Sequence, residues 1–174
     1  MMDQALREGG FGLFVRFFPE LPLPVVLAEE NVHAFQRDND PLPEDLARQY
    51  LHPLEPSEPD EFTEFLPCFR LAGTGEFHAL VYWKGALLNY HFVLATFTRK
   101  GVLIDRRVLS GTSMVSGALL QSLALVDEDW RIRILSGMSS PNDDFEAKSS
   151  TMLLLELQPE GRIVEIADEP ISGD

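Results

Sequence analysis

From residue 66 onward, apolar runs rich in Val, Leu, Phe and Tyr recur at short intervals with turn residues between them. Runs of this length and composition, punctuated in this way, predict β-strands. Eight strands are expected, over Leu66–Ala72, Glu76–Trp83, Tyr90–Thr98, Val102–Ser110, Leu119–Val126, Arg131–Ser136, Thr151–Gln158 and Arg162–Ala167. The separators are "GTG", "KGALLN", "RKG", "GTSMVSG", "DEDW", "GMSSPNDDFEAKS" and "PEG". Most are too short for a crossover helix, so consecutive strands are expected to pair as antiparallel neighbours. "FTRKGVLI" and "LQPEGRIV" share a polar step ending in Gly, which supplies the positive φ a tight turn needs. Strands such as "MLLLEL" are apolar on both faces, which favours a layered core. The predicted fold is mainly β (α+β). It is an antiparallel meander of about eight strands forming a two-sheet sandwich or a barrel-like core, with one short N-terminal helix.

The pattern before residue 66 is different. Most of the twelve prolines fall between Pro19 and Pro67. In "FGLFVRFFPELPLPVVLA" (11–28), Pro19, Pro22 and Pro24 forbid a continuous helix. The reading here is a short strand over Leu13–Phe18 and an extended segment packing Leu21, Leu23, Val25 and Val26 on the core. "DPLPEDLARQYLH" (40–52) is the predicted helix. Asp40 can cap it, Pro41 and Pro43 suit its first turn, and Leu42, Leu46, Tyr50 and Leu51 fall near one face. Residues 54–65 read as an acidic, Pro-rich linker crossing the surface, with Glu55, Glu58, Asp60, Glu61 and Glu64 solvated. The chain is therefore expected to be one domain over 1–174, made of an extended segment and helix (11–53), the linker (54–65) and the meander (66–168).

"FFPELPLPVVL", "LPEDLARQYL", "HALVYWKG", "YHFVLATFTRKGVLIDRRVL", "SLALVDEDWRIRIL" and "LLLELQPEGRIVEI" together resemble a group of uncharacterised bacterial β-rich proteins. In that group a Pro-flanked N-terminal segment and a short helix precede an antiparallel meander. The resemblance spans roughly residues 13–167 and implies a β fold. It brings no catalytic residues.

Charge narrows the partners. Fourteen Lys and Arg stand against 28 Asp and Glu, a formal charge of −14. A phosphate backbone or an anionic membrane surface is repelled by such a chain. No apolar run is long enough for a membrane span. The expected partner is a protein, a peptide or a small-molecule ligand, with no nucleic acid and with a homodimer through a sheet edge as a further expectation. No export signal is visible, which suits a cytoplasmic, soluble protein unless a leader has been removed. Cys68 is the single cysteine and reads as a buried, inert thiol.

Candidate chemistry is sparse. If Lys84-Gly85 forms a two-residue turn, His78 faces His91 across the hairpin, about 5 Å apart at Cβ, close enough to share a metal or a proton. A longer loop centred on Leu87 removes that pairing. Further metal ligands are not spaced nearby, so neither a metal nor a cofactor is expected. The acidic clusters "DND" (38–40), "DEDW" (127–130) and "NDDFE" (142–146) lack calcium-loop geometry. No G-x-S-x-G and no P-loop occurs. Aromatic side chains beside turns are the better lead for binding. Tyr82 and Trp83 lie on opposite faces of one strand, and Trp130 follows the "DED" turn. The expected function is a non-enzymatic binding or interaction module with an acidic surface, using Tyr82, Trp83, Trp130, His78 or His91. The alternatives are a hydrolase-like enzyme with His78 and His91 at its site, or a self-associating β protein.

Overall fold

A computed structural model describes residues 10–139 and 150–166. Its centre is an antiparallel meander in which each strand pairs with the next. The strands are β2 (Glu64–Arg70), β3 (Phe77–Ala86), β4 (Asn89–Thr98), β5 (Leu103–Val115), β6 (Ala118–Val126), β7 (Arg131–Ser139), β8 (Thr151–Leu157) and β9 (Ile163–Ile166). The protein is therefore mainly β, and all eight strands expected from the apolar runs are present. A ninth, β1 (Val25–Leu27), is the tail of the Pro-rich segment and pairs with β6, Val25 opposite Val126.

The sheet is neither two separate sheets nor a closed barrel. It is one open, continuous sheet folded over at β5, whose thirteen residues serve both halves. The first part of β5 pairs only with β4, Gly111–Ser113 pair with both β4 and β6, and Met114 and Val115 pair with β6. Where β5 and β6 diverge, β1 takes the vacated edge of β6, and the buried Ser110 hydroxyl donates to the Leu27 carbonyl at 3.0 Å. The far hairpin lies back against the near half. The Thr96 hydroxyl donates to the Gly161 carbonyl at 2.6 Å, and the Ile163 amide donates to Asp105 Oδ2 at 2.8 Å. Between the halves lies one apolar cluster that includes Phe69, Phe77, Phe92, Leu94, Leu109, Ile132 and Leu155. Cys68 is buried there, and burial pushes its thiol well above its usual range, as expected of an inert cysteine.

The opposite face of β3 and β4 is also covered, which explains why these strands read as almost continuously apolar. Residues 10–16 are helical (α1), not the strand expected over Leu13–Phe18. Phe11, Phe14, Val15 and Phe18 follow a three-to-four spacing and are all buried against Leu80, Tyr82, Val93, Ala95 and Phe97. Each such Phe contributes about 1.5–3 kcal/mol by burial. Pro19 ends this helix; it does not prevent it. Two further helices follow, α2 (Val32–Asp38) and α3 (Glu44–Tyr50), the second a shorter version of the helix expected over 40–52. Pro43, not Asp40, occupies the N-cap of α3, and Pro53 lies in a 3-10 turn over His52–Leu54.

The free edge of β2 is covered. Asn39 Nδ2 donates to the carbonyls of Pro67 and Cys68 at 2.8 and 2.9 Å, and the Arg70 amide donates to the Pro19 carbonyl. Pro67 also removes one donor from this edge. No described helix is long and apolar enough to cross a membrane.

Three hairpins use one turn. In β4–β5, β6–β7 and β8–β9 the amides of Thr98, Asp127 and Gln158 bond the carbonyls of Val102, Arg131 and Arg162. The third turn residue has positive φ in each, at Gly101, Trp130 and Gly161. Gly is the ordinary occupant of that position, and a bulky aromatic there is a genuine outlier.

Candidate functional site

The β3–β4 hairpin closes on Leu87-Leu88, with Ala86 opposite Asn89, and not on Lys84-Gly85. This is the loop centred on Leu87, the alternative in which the two histidines do not face each other. His78 sits opposite Phe97 and His91 opposite Lys84, so the two lie six pairs apart, about 20 Å at the usual rise per residue. The tip holds no Gly or Asn, so "KGALLN" did not decide between the two turns. Leu88 adopts a φ of 61°, a region that costs a non-Gly residue about 1–2 kcal/mol. Both leucines are exposed, Leu87 to 84%.

Beside this tip is a cleft of about 510 Å³, lined by Asp60, Phe62, Glu64, Trp83, Gly85, Ala86, Leu87 and Tyr90. Trp83 and Tyr90 stack nearly parallel, at 6° and 5.8 Å between centroids. Register explains the stack. Tyr90 is opposite Gly85, and the Trp83 ring lies across that glycine. A Cβ at Gly85 would come within 2.4 Å of the indole, so the absence of a side chain there makes room for the pair. Glu64 is opposite Gly85 from the other side, on the same face of the sheet. Asp60 Oδ1 accepts from the Phe62 amide at 2.9 Å and the Thr63 hydroxyl at 3.1 Å, a local turn that sets Phe62 outward. Phe62 is 75% exposed. The cleft thus joins an aromatic floor, apolar tips and two exposed carboxylates.

The other expected residues go elsewhere. Tyr82 faces the helical layer and is fully buried. Its hydroxyl donates to Glu55 Oε1 at 3.1 Å, and burial, reinforced by the Glu55 charge, pushes it far above its usual range. Glu55 is not solvated as the acidic linker implied. Its side chain is 1% exposed and meets Lys84 Nζ at 2.5 Å and Arg106 Nη2 at 3.1 Å. His91 lies close to this network, its pKa held below the ordinary 6.5 by burial and then by Lys84. Trp130 packs edge-on against Phe77 at 6.1 Å, which offsets the strained backbone of its turn. The remaining linker acids Glu58, Asp60, Glu61 and Glu64 are exposed as expected. "NDDFE" lies outside the described residues.

Another cleft, about 600 Å³, runs between Glu29–His33 and the outer face of β6–β7, and includes Ser122. That serine accepts from the Gly111 amide at 3.0 Å and donates to its carbonyl at 3.4 Å, which commits it to bridging strands. Among the described residues no three His, Cys, Asp or Glu side chains gather as a metal site. No family model, no curated protein and no solved structure matches the chain at a significant level.

Proposed function

We propose that the protein is a non-enzymatic binding module whose hairpin cleft takes a Lys- or Arg-bearing segment of a partner protein. The observation that carries this reading is the stacked Trp83–Tyr90 pair lining one cleft with Asp60 and Glu64. An aromatic face attracts a cation, and a neighbouring carboxylate completes its neutralisation. The formal charge of −14 favours the approach of a basic partner over any acidic one. The two leucines at the tip support the reading independently. A turn residue kept at positive φ with an exposed apolar side chain carries a local cost that Asn or Gly would avoid.

The test is calorimetric and fluorimetric titration of the full chain with a lysine- and arginine-containing peptide library of fixed length, with glutamate-substituted peptides as controls. Binding of the basic peptides with quenching of Trp83, lost in Gly85→Ala and Trp83→Leu, is the expected result. Equal affinity for the glutamate series, or binding unaffected by both substitutions, would sink the proposal.

A second reading, self-association, is supported by a different surface. Leu123, Leu135 and Met152 are successive cross-strand neighbours on the outer face of β6–β8, and all are exposed. Size-exclusion chromatography at micromolar concentration with and without Leu135→Lys separates a dimer from a monomer.

A further inference from the structure

At the other end of β3, about seven residues from the aromatic pair, a second cleft of about 480 Å³ has the opposite character. It is lined by Arg16 on α1, Arg70 at the end of β2, Arg99 in the β4–β5 turn, His78, Thr74 and Glu20. In a chain with twice as many acids as bases, three arginines line this cleft together with one carboxylate, Glu20. With His78 neutral, three positive charges and one negative leave the lining at +2.

The way these arginines are held matters more than their number. Arg99 is fixed by the Gly75 carbonyl, which accepts from both Nε (2.6 Å) and Nη2. Arg70 Nη1 donates to the Phe18 carbonyl at 2.6 Å, while Glu20 stands 3.5 Å from its Nε. Arg16 has no ion-pair partner among the described residues. Main-chain carbonyls orient a guanidinium without cancelling its charge, and each guanidinium has five donors to share. The cleft therefore holds two guanidiniums aimed by main-chain carbonyls, Arg70 and Arg99, with spare donors, and the exposed Arg16 of α1 beside them. The half-buried His78 imidazole packs edge-on against Phe11 at 5.7 Å. Its pKa is lowered by burial and then by Arg99 and Arg70, as a local positive field requires.

We propose that this cleft binds a small dianionic oxyanion, the phosphate group of a phosphate monoester. The fork geometry of guanidinium matches phosphate oxygens, and a phosphate monoester carries close to the two negative charges that the lining leaves unmatched. This site is separate from the hairpin cleft and does not depend on its reading.

The experiment titrates the full chain with inorganic phosphate and with glycerol phosphate at constant ionic strength, read by NMR at the His78 imidazole and by calorimetry. Acetate and chloride are the comparison anions. Saturable shifts with both phosphates, weaker with acetate and absent with chloride, are expected. At saturation the His78 pKa rises back toward 6.5, because the bound anion offsets the guanidinium field. Arg99→Gln and Arg16→Gln each weaken binding about tenfold, the usual effect of losing one charge-assisted hydrogen bond. Arg133→Gln, on the outer face of β7, leaves it unchanged. Shifts that fail to saturate, that chloride reproduces, or that persist in both cleft variants would overturn the proposal.

Discussion

Replacing Glu55 by Ala removes the one carboxylate that holds residues 52–62 to the sheet. The Glu55 side chain is 1% exposed, while Lys84 and Arg106 keep 17% and 21% exposure. Removing one partner of a fully buried ion pair costs about 3–5 kcal/mol. Here the two cations can partly rehydrate, so the expected loss sits at the low end, about 3 kcal/mol. Part of that is the Tyr82 hydroxyl, which loses its acceptor inside the apolar layer, a cost of about 1–3 kcal/mol when nothing replaces it. Glu55→Gln keeps an acceptor for Tyr82 and loses only the charge, so it should fall between the variant and the parent. The assay is urea unfolding followed by far-ultraviolet circular dichroism. With a slope of about 2 kcal/mol per molar, a loss of 3 kcal/mol moves the midpoint by about 1.5 M without changing the slope. A double-mutant cycle with Lys84→Met isolates the pair and should show clear coupling. A midpoint shift under about 0.2 M for Glu55→Ala, or zero coupling in the cycle, would mean that this carboxylate does not anchor the segment.

Other outcomes follow from single residues. Leu88→Asn relieves a positive-φ leucine and should stabilise the fold by about 0.5–1 kcal/mol in urea unfolding while weakening peptide binding. Gly111→Ala places a Cβ 1.9 Å from the Tyr90 carbonyl oxygen, so backbone must move; a midpoint loss of several kelvin in calorimetry is expected, larger than for Gly12→Ala, where a Cβ meets nothing. His78 and His91 both have pKa values below 6.5 in the folded chain, so as pH falls below about 7 toward the folded values the unfolded chain binds more protons. Their contribution is complete above 6.5 and lost as pH falls through the folded values. His78→Gln together with His91→Gln should therefore flatten the decline in stability over that window, measured by urea midpoints at each pH.

Residues near the turns were the easiest to read. Gly101 and Gly161 announce their hairpins because the turn demands positive φ, and all eight meander strands fall where the apolar runs lie. The β3–β4 register stayed open between two turns, because Leu87-Leu88 carries no turn chemistry; tertiary packing on both faces of β3 and β4 decides for the loop centred on Leu87. The Phe11, Phe14, Val15, Phe18 spacing was a legible helix signal, masked by the weight given to the prolines that follow. α2 buries only Val32 and Phe35, too few positions to reveal a period. The burial of Glu55 could not be read locally, since its partners come from β3 and β5, and the same holds for the arginine cleft. For the hairpin cleft, "VYWKG" pointed at Trp83, and Phe62 amid the acids of "DEFTE" was the unused clue.

The pairing of β1 with β6 has a temporal consequence. Every meander pairing joins close neighbours in the chain, so hairpins from β2 onward can zip in order as synthesis proceeds. Val25 meets Val126 only after about a hundred intervening residues have been made. Until then the seam where β5 and β6 part is open to any other extended segment, including the same strand from a neighbouring nascent chain, and arrival of residues 25–27 is the event that seals it.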